Sequence, residues 1–305
     1  MSEIKILANE LKFPEGPVVM PDGSVAFAEI AGRMIRKVAL DGTLSVVSGT
    51  GGGPNGMALG RDGYLYVCNN GGSEYSRETG DYTYLNSGVA KDYFGGHIQR
   101  VDPKNGEAKV LYSYCGSDRL SAPNDIVFDS HQGFYFTDIG KKFKRHRDHG
   151  GIYYARSDGT KIQVVAYPVG SPNGIGLSPD GKVLYYAETD TSRLWAFDIV
   201  EPGVVKKMSH PSPNGGRLIH GLPGYQRFDS LAVEAGGNIC VATIAAGCIT
   251  VISPDGRLVR QVKVPDVFPT NICFGGPDMR TAYITLSGHG QLASMPWPEA
   301  GLRLN

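Results

Sequence analysis

The chain lacks most of the signatures by which a sequence announces a common chemistry. Its 305 residues contain no GxSxG elbow, no GxGxxG opening a βαβ unit, no P-loop and no HExxH. Serine hydrolases of the elbow type, dinucleotide enzymes, phosphate-cradling NTPases and zincins are thereby disfavoured. No apolar run reaches the roughly 18 residues that a membrane helix requires. The N-terminus, MSEIKILANELKF, has neither the apolar stretch nor the small-residue cleavage site of a signal peptide. Charge of one sign is missing as well. Thirty Lys and Arg balance thirty Asp and Glu, so there is no basic field for nucleic acid and no charged tail for a partner. The five cysteines form no CxxC pair, and Cys68, Cys240 and Cys273 fall inside expected strands, where a free thiol serves as a small core residue. These absences lead to the expectation of a cytoplasmic protein with no nucleic-acid, membrane or protein partner indicated. Helical periodicity of useful length is also absent, which argues for an all-β fold.

What is present is repetition. The stretch Ser171 to Thr189, SPNGIGLSPDGKVLYYAET, reads as a turn, a short apolar strand, a Pro-Asp-Gly hairpin and a second strand ending near an acid. The same unit recurs as FPEGPVVMPDGSVAFAE from Phe13, GPNGMALGRDGYLYVCNN from Gly53, APNDIVFDSHQGFYFTD from Ala122, FDSLAVEAGGNICVAT from Phe228 and FPTNICFGGPDMRTAYITL from Phe268. Aligned, the six copies place Glu15, Asn55, Asn124, Asn173, Asp229 and Thr270 at one position, just before an apolar strand. The intervals are 40, 69, 49, 56 and 41 residues, and closing the circle through the termini takes 50 more. Such uneven spacing, with two strands visible per unit and room for two more, predicts a six-bladed β-propeller of four-stranded antiparallel blades. The repeats run from end to end, so residues 1–305 are expected to form one domain. The N-terminal segment Ser2 to Asn9 is expected to close the last blade beside the strand around Gln291 to Met295, hiding an otherwise open edge.

A propeller turns sequence period into spatial convergence, because the innermost strands line one central channel. The repeated position then becomes a ring at one channel mouth. It would hold two carboxylates, Glu15 and Asp229, and three amides, Asn55, Asn124 and Asn173. Carboxylates with amide carbonyls are hard oxygen donors suited to one divalent cation, Ca²⁺ first, with Mg²⁺, Mn²⁺, Zn²⁺ or Fe²⁺ as alternatives. Turn chemistry alone accounts for any single Asn-Gly. It does not account for Glu15, a poor turn residue standing in the same frame. A cation there would polarise a carbonyl or a water, and a neighbouring carboxylate would take the proton. Asp229 is preferred as that base, because Glu15 looks the more committed ligand.

Two long links leave this expected mouth. Residues 71–96 carry Tyr75, Tyr82, Tyr84, Tyr93 and Phe94 and form a candidate cap, against the plainer reading of a loop packed on its own tyrosines. The basic segment IGKKFKRHRDHGG follows the strand Phe134 to Asp138. Its His146 and His149 read as surface residues, for want of a helix or a third ligand. The stretch His210 to Arg227 is a possible further wall.

Several motifs together resemble the gluconolactonase, regucalcin and senescence-marker-protein family of six-bladed propellers, over nearly the whole chain. They are FPEGP around Glu15, RLSAPNDIVFD around Asn124, SPNGIGLSPDG around Asn173, FDSLAV around Asp229, and FPTNICFGGPD near the end. The resemblance implies metal-dependent opening of a lactone to a hydroxy acid, with Glu15, Asn173 and Asp229 on the metal. It also implies Asn124 at the metal or the substrate, and Asp229 as base. Asn55, at the same ring position, is assigned to substrate. In the sugar-lactone members closest to regucalcin an Arg stands two residues before the Asn, at Ala122 of this chain, and the nearest Arg is Arg119. The substrate is therefore expected to be a sugar lactone or a larger, less polar one such as an aromatic lactone. Another ring-opening hydrolase or a phosphotriesterase on the same metal, and a non-enzymatic scaffold with a structural metal, are the competing readings.

Overall fold

The computed structural model describes residues 3–76 and 85–304. A short strand, β1 (Lys5–Ala8), comes first. Blade one is β2 (Pro14–Val19), β3 (Val25–Glu29), β4 (Met34–Val38) and β5 (Leu44–Ser48). Blade two begins with β6 (Pro54–Leu59) and β7 (Leu65–Asn69), leaves for a separate hairpin of β8 (Ser73–Ser76) and β9 (Leu85–Val89), and returns as β10 (His97–Val101) and β11 (Ala108–Tyr112). A two-residue ribbon, β12 (Tyr114–Cys115) and β13 (Asp118–Arg119), leads to blade three: β14 (Pro123–Phe128), β15 (Gly133–Asp138), β16 (Gly150–Arg156) and β17 (Ile162–Val169). Blade four is β18 (Pro172–Leu177), β19 (Val183–Glu188) and β20 (Arg193–Glu201), edged by β21 (Val204–Lys206) and β22 (Arg217–Gly221). Blade five is β23 (Arg227–Val233), β24 (Ile239–Ile244), β25 (Cys248–Ile252) and β26 (Leu258–Lys263). Blade six is β27 (Pro269–Gly275), β28 (Thr281–Leu286), β29 (Gln291–Pro296) and, as its outer strand, β1.

No helix occurs among the described residues, and the inner strands β2, β6, β14, β18, β23 and β27 contact one another around a closed circle. This is the six-bladed propeller expected from the repeats. The closure by β1 is also as expected: it runs antiparallel to β29, with Lys5 opposite Ser294 and Ile6 opposite Ala293. Two details depart from the expectation. The outer strand of blade four is split, because β21 and β22 pair with different parts of β20. The repeated polar residue lies inside its strand rather than before it, and an irregularity follows at once. The inner-strand register shifts between Glu15 and Val18, Pro54 and Met57, Pro123 and Ile126, Pro172 and Ile175, and Phe228 and Leu231. A bulge re-aims the side chains beside it, and this one recurs where the ring residues stand.

The strands form because apolar and β-branched runs are bounded by Asp-Gly and Pro-rich turns. Each blade then buries both faces against its neighbours, so β14, β15, β18 and β24 are buried at every residue. Between blades two and three the packing is aromatic. Phe134 lies 5.6 Å from Tyr66 and 5.4 Å from Phe128, ring centre to ring centre. All five cysteines are free thiols.

Candidate metal centre and active site

The second strand of each blade returns the chain to the face where the ring stands. Pro14 pairs with Glu29, Pro54 with Asn69, Pro123 with Asp138, Pro172 with Glu188, and Phe228 with Thr243. The links after β7 and β15 therefore leave from this face.

All six ring residues are buried, none more than 7% exposed. Glu15 Oε2 accepts from the Gly16 amide at 3.1 Å and from Asn271 Nδ2 at 3.2 Å. Burial pushes the Glu15 carboxyl well above its ordinary pKa, and the nearby charges of Asp229 and Asp125 push it further. Burial likewise raises Asp229, opposed by a hydrogen bond from Asn173 and by the Arg227 guanidinium. Asn173 directs its Nδ2 to Thr189 Oγ1 at 3.0 Å, and its Oδ1 meets Ser230 Oγ at 3.4 Å. The Oδ1 atoms of Asn55 and Asn124 are buried and meet no hydrogen-bond partner. Thr270 stands apart from the others. Its hydroxyl is taken up by Thr285 at 2.9 Å, Ser287 at 2.6 Å and the Pro14 carbonyl at 3.2 Å, which fastens blade six to blade one.

The residue directly after the ring position was not singled out in the sequence, and it matters. Three copies have glycine there. A Cβ on Gly16 would lie 2.4 Å from the Asn55 carbonyl, one on Gly56 2.5 Å from that of Asn124, and one on Gly174 2.6 Å from the Leu231 amide. The inner strands meet too closely at those points for a side chain. The other three copies have Asp125, Ser230 and Asn271. Asp125 accepts from the amides of Ile126 at 3.0 Å and Ile175 at 3.4 Å. It thereby joins blades three and four, and burial pushes its carboxyl up to about 7. The available signal was a polar residue where the other copies carry glycine. Asp138 is a further supporting acid: it accepts from the amides of Ser121 and Ala122, each at 2.7 Å, and of Gly140 at 3.0 Å. Those bonds hold the turn that presents Asn124.

This donor set fits a hard divalent cation. The charge of Asp229 raises the Glu15 pKa, and two amide oxygens of the ring are buried without a partner, a condition that ordinarily costs free energy. Among the described residues no three His, Cys, Asp or Glu side chains cluster so as to hold a metal by themselves. A cation here would depend on the amides. The two histidines of the basic link are occupied otherwise: His146 stacks on Phe143 at 4.5 Å and His149 meets Tyr167 edge-on at 6.3 Å.

The hairpin β8–β9 rises from the same face. Tyr75 lies 5.3 Å from the Phe13 ring. Its phenol is shifted upward by burial and by the charge of Glu15, so this tyrosine stands at the ring. Tyr93 packs at the hairpin base, its hydroxyl donating to the Ser121 carbonyl at 2.9 Å. Phe94 is exposed beneath the Arg119 guanidinium, 4.2 Å from its ring centre. Tyr82 and Tyr84 lie outside the described residues. In the 210–227 stretch, Asn214 donates to Glu188 at the ring end of β19, and Tyr225 is exposed beside the start of β23. At the opposite mouth, the channel widens into a cavity of about 970 Å³ lined by Val18, Phe128, Leu177, Val233 and Phe274. Its walls are mainly apolar, and the few polar side chains on them include Asp125 and Asn271, which follow the ring position.

The family model described as the SMP-30/Gluconolactonase/LRE-like region matches residues 13–288. The chain is 27% identical over 253 residues to a lactonase drp35 of Staphylococcus haemolyticus, covering 82% of this chain and 69% of that protein. It is 22% identical over 316 aligned positions to a gluconolactonase of Zymomonas mobilis, covering 93% of this chain and 79% of that one. A lactonase drp35 of Staphylococcus saprophyticus is 29% identical over 70% of this chain, which spans 57% of that relative's length. Among solved structures, a gluconolactonase from Xanthomonas campestris superposes with a TM-score of 0.76 at 22% identity, covering 97% of this chain and 90% of its own. A calcium-binding regucalcin from Agrobacterium tumefaciens gives 0.75 at 18% identity, covering 99% and 98%. At those identities the structures speak for the fold. With the repeated motifs and the family match spanning both ends of the ring, the chain belongs to the SMP-30/gluconolactonase/LRE-like family.

Proposed function

We propose that the protein opens a lactone to its hydroxy acid at the ring of Glu15, Asn124, Asn173 and Asp229, with a divalent cation bound there. The observation that carries this reading is the pair of buried, unpartnered amide oxygens, Asn55 Oδ1 and Asn124 Oδ1, in the same ring as Glu15 and Asp229, whose charge raises the Glu15 pKa. Glu15, Asn173 and Asp229 would hold the cation, with Asn124 and Asn55 toward substrate. When bound, the cation would supply Lewis-acid polarisation of the ester carbonyl or of water. Asp229 takes a proton from the attacking water, whose oxygen bonds to the carbonyl carbon, and the ring C–O bond then breaks. The same proton passes to the departing alkoxide oxygen, so that lactone plus water gives one hydroxy acid. Asn173 orients Asp229 by its hydrogen bond, and Asp125 holds the inner strands in place beneath it.

Three observations favour a less polar lactone over an aldonolactone, with the hairpin β8–β9 as a cap. Arg119, the nearest arginine to Asn124 in sequence, donates to the Phe94 carbonyl at 2.8 Å and to the Tyr114 hydroxyl, and so is engaged with the rim. Ala122 is buried and offers no donor for sugar hydroxyls. Phe13 and Tyr75 give the mouth an aromatic wall.

The test is a pH-indicator assay on a panel running from gluconolactone to aryl lactones, before and after chelation and return of metal. Ring opening should stop on chelation and return with Ca²⁺. Asp229→Ala should lower kcat by roughly 10²–10⁴-fold, the range of a lost general base. Turnover that survives both chelation and Asp229→Ala removes this mechanism. Turnover confined to aldonolactones removes the aromatic preference.

A further inference from the structure

Lys141 sits in the basic link after β15, yet it is 95% buried, with a relative exposure of 5%. Its ammonium has three N–H donors, and the structure supplies three oxygens. They are the carbonyls of Asn70 at 3.0 Å and Gly72 at 2.5 Å, and the Ser73 hydroxyl at 3.3 Å. The Tyr93 ring covers the ammonium at 4.8 Å. Burial lowers its pKa to about 8, partly opposed by the Asp138 charge. The three acceptors belong to a sharp crank between β7 and β8. Gly71 and Gly72 both have positive φ there, of 76° and 96°. The amides of the crank are taken by Asn69 Oδ1, which accepts from Gly71 at 3.0 Å, and Asn70 Oδ1, which accepts from Gly72 at 2.9 Å. The direction in which β8 leaves the crank decides where Tyr75 stands, and Tyr75 stands against Phe13, close enough to feel the charge of Glu15.

We infer that Lys141 is a positioning residue of the site: a cation lent by blade three that fixes the crank of blade two and so holds Tyr75 at the ring. Among the described residues no other side chain bonds the carbonyls of Asn70 and Gly72, both buried residues. Without the ammonium the buried Asn70 carbonyl loses its side-chain donor and the Gly72 carbonyl keeps only the long bond from the Ala90 amide at 3.5 Å. Under-satisfied buried carbonyls destabilise the conformation that buries them, so losing the ammonium releases the crank rather than the propeller. Charge-assisted bonds of this kind are roughly twice as strong as neutral ones. The inference rests on the lactone-opening reading for its kinetic consequence but not for its structural one.

The experiment compares full-length wild type, Lys141→Met, Lys141→Arg, Tyr75→Ala and the Lys141→Met/Tyr75→Ala double variant. Amide hydrogen exchange of Ser73–Ser76 and Leu85–Val89 should speed at least tenfold in Lys141→Met, with β14 and β18 unchanged. Lys141→Arg, which keeps charge and donors, should recover much of the protection. With an aryl lactone, Lys141→Met and Tyr75→Ala should each raise KM at least fivefold with little change in kcat. The double variant should be no worse than the more affected single one. Unchanged exchange at the hairpin, or independent and multiplying losses in the double variant, overturns the inference. If Lys141→Met does not fold, wild type labelled with ¹⁵N-lysine decides. One ammonium should exchange its protons slowly and show contacts to Gly72 and Ser73, and the absence of such a signal counts against it. A protein that opens no lactone sinks the proposed function and leaves the exchange arm standing.

Discussion

Asp125 shows how a single side chain can set the pH response of the whole fold. Its carboxyl, ordinarily near 3.8, is held up to about 7 by burial, and Glu15 and Asp229 are shifted in the same direction. Between those values the folded chain keeps protons that the unfolded chain has released. Stability therefore falls as pH rises from about 4 through about 7. Asp138, held up to about 6 by burial, adds to the trend, and half-buried His97, whose pKa is pushed down, opposes it. Calorimetry in chelator should show Tm declining across that window. With excess Ca²⁺ the decline should flatten or reverse, because a cation binds the ionised forms and stabilises them by mass action. A Tm that climbs from pH 4.5 to 7 in chelator refutes this account of the ring.

At the scale of elements, the aromatic seam between blades two and three carries much of their adhesion. Phe134 is fully buried against Tyr66 and Phe128. Phe134→Ala should cost about 3–5 kcal/mol through lost burial and the cavity left behind. Urea titration should show a lower midpoint with an unchanged slope. These elements were legible in the sequence, and so was the ring. Asp-Gly turns at near-regular distances mark hairpins, and six aligned copies carry Glu15, Asn55, Asn124, Asn173 and Asp229 to one channel mouth. The chemistry packed around the ring was not legible. Asp125 and Asn271 occupy the next position, whose importance comes from a recurrent bulge and from how closely neighbouring inner strands approach. Lys141 was hidden among surface cations, because its partners lie 68 to 71 residues away in another blade. A repeat fixes which positions are equivalent. It says nothing about contacts between links, which do not repeat. The split edge of blade four escaped notice for the same reason.

At the scale of the molecule, the circle is joined in blade six, where β1 from the start of the sequence lies beside β29 from its end. Removing residues 1–8 should leave β29 as an open edge and take Ile4 and Ile6 from the packing beneath it. The truncated chain should melt at lower temperature and self-associate on heating, as read by calorimetry and light scattering. Full-length stability and a monodisperse melt in that variant would mean the join is dispensable.

The join also determines how the molecule would yield to force. Because β1 and β29 run antiparallel, Lys5 and Ser294 face each other at one end of the pair, so a pull between Glu3 and Leu304 would load their hydrogen bonds one after another. The last residues are themselves held to blade five, by the Leu302 amide on the Val233 carbonyl at 2.8 Å. Tension would therefore fall on two ties, peeling the β1–β29 seam like a zip at one end and pulling the last residues off blade five at the other. The circle of inner strands would feel the load only after these had given way.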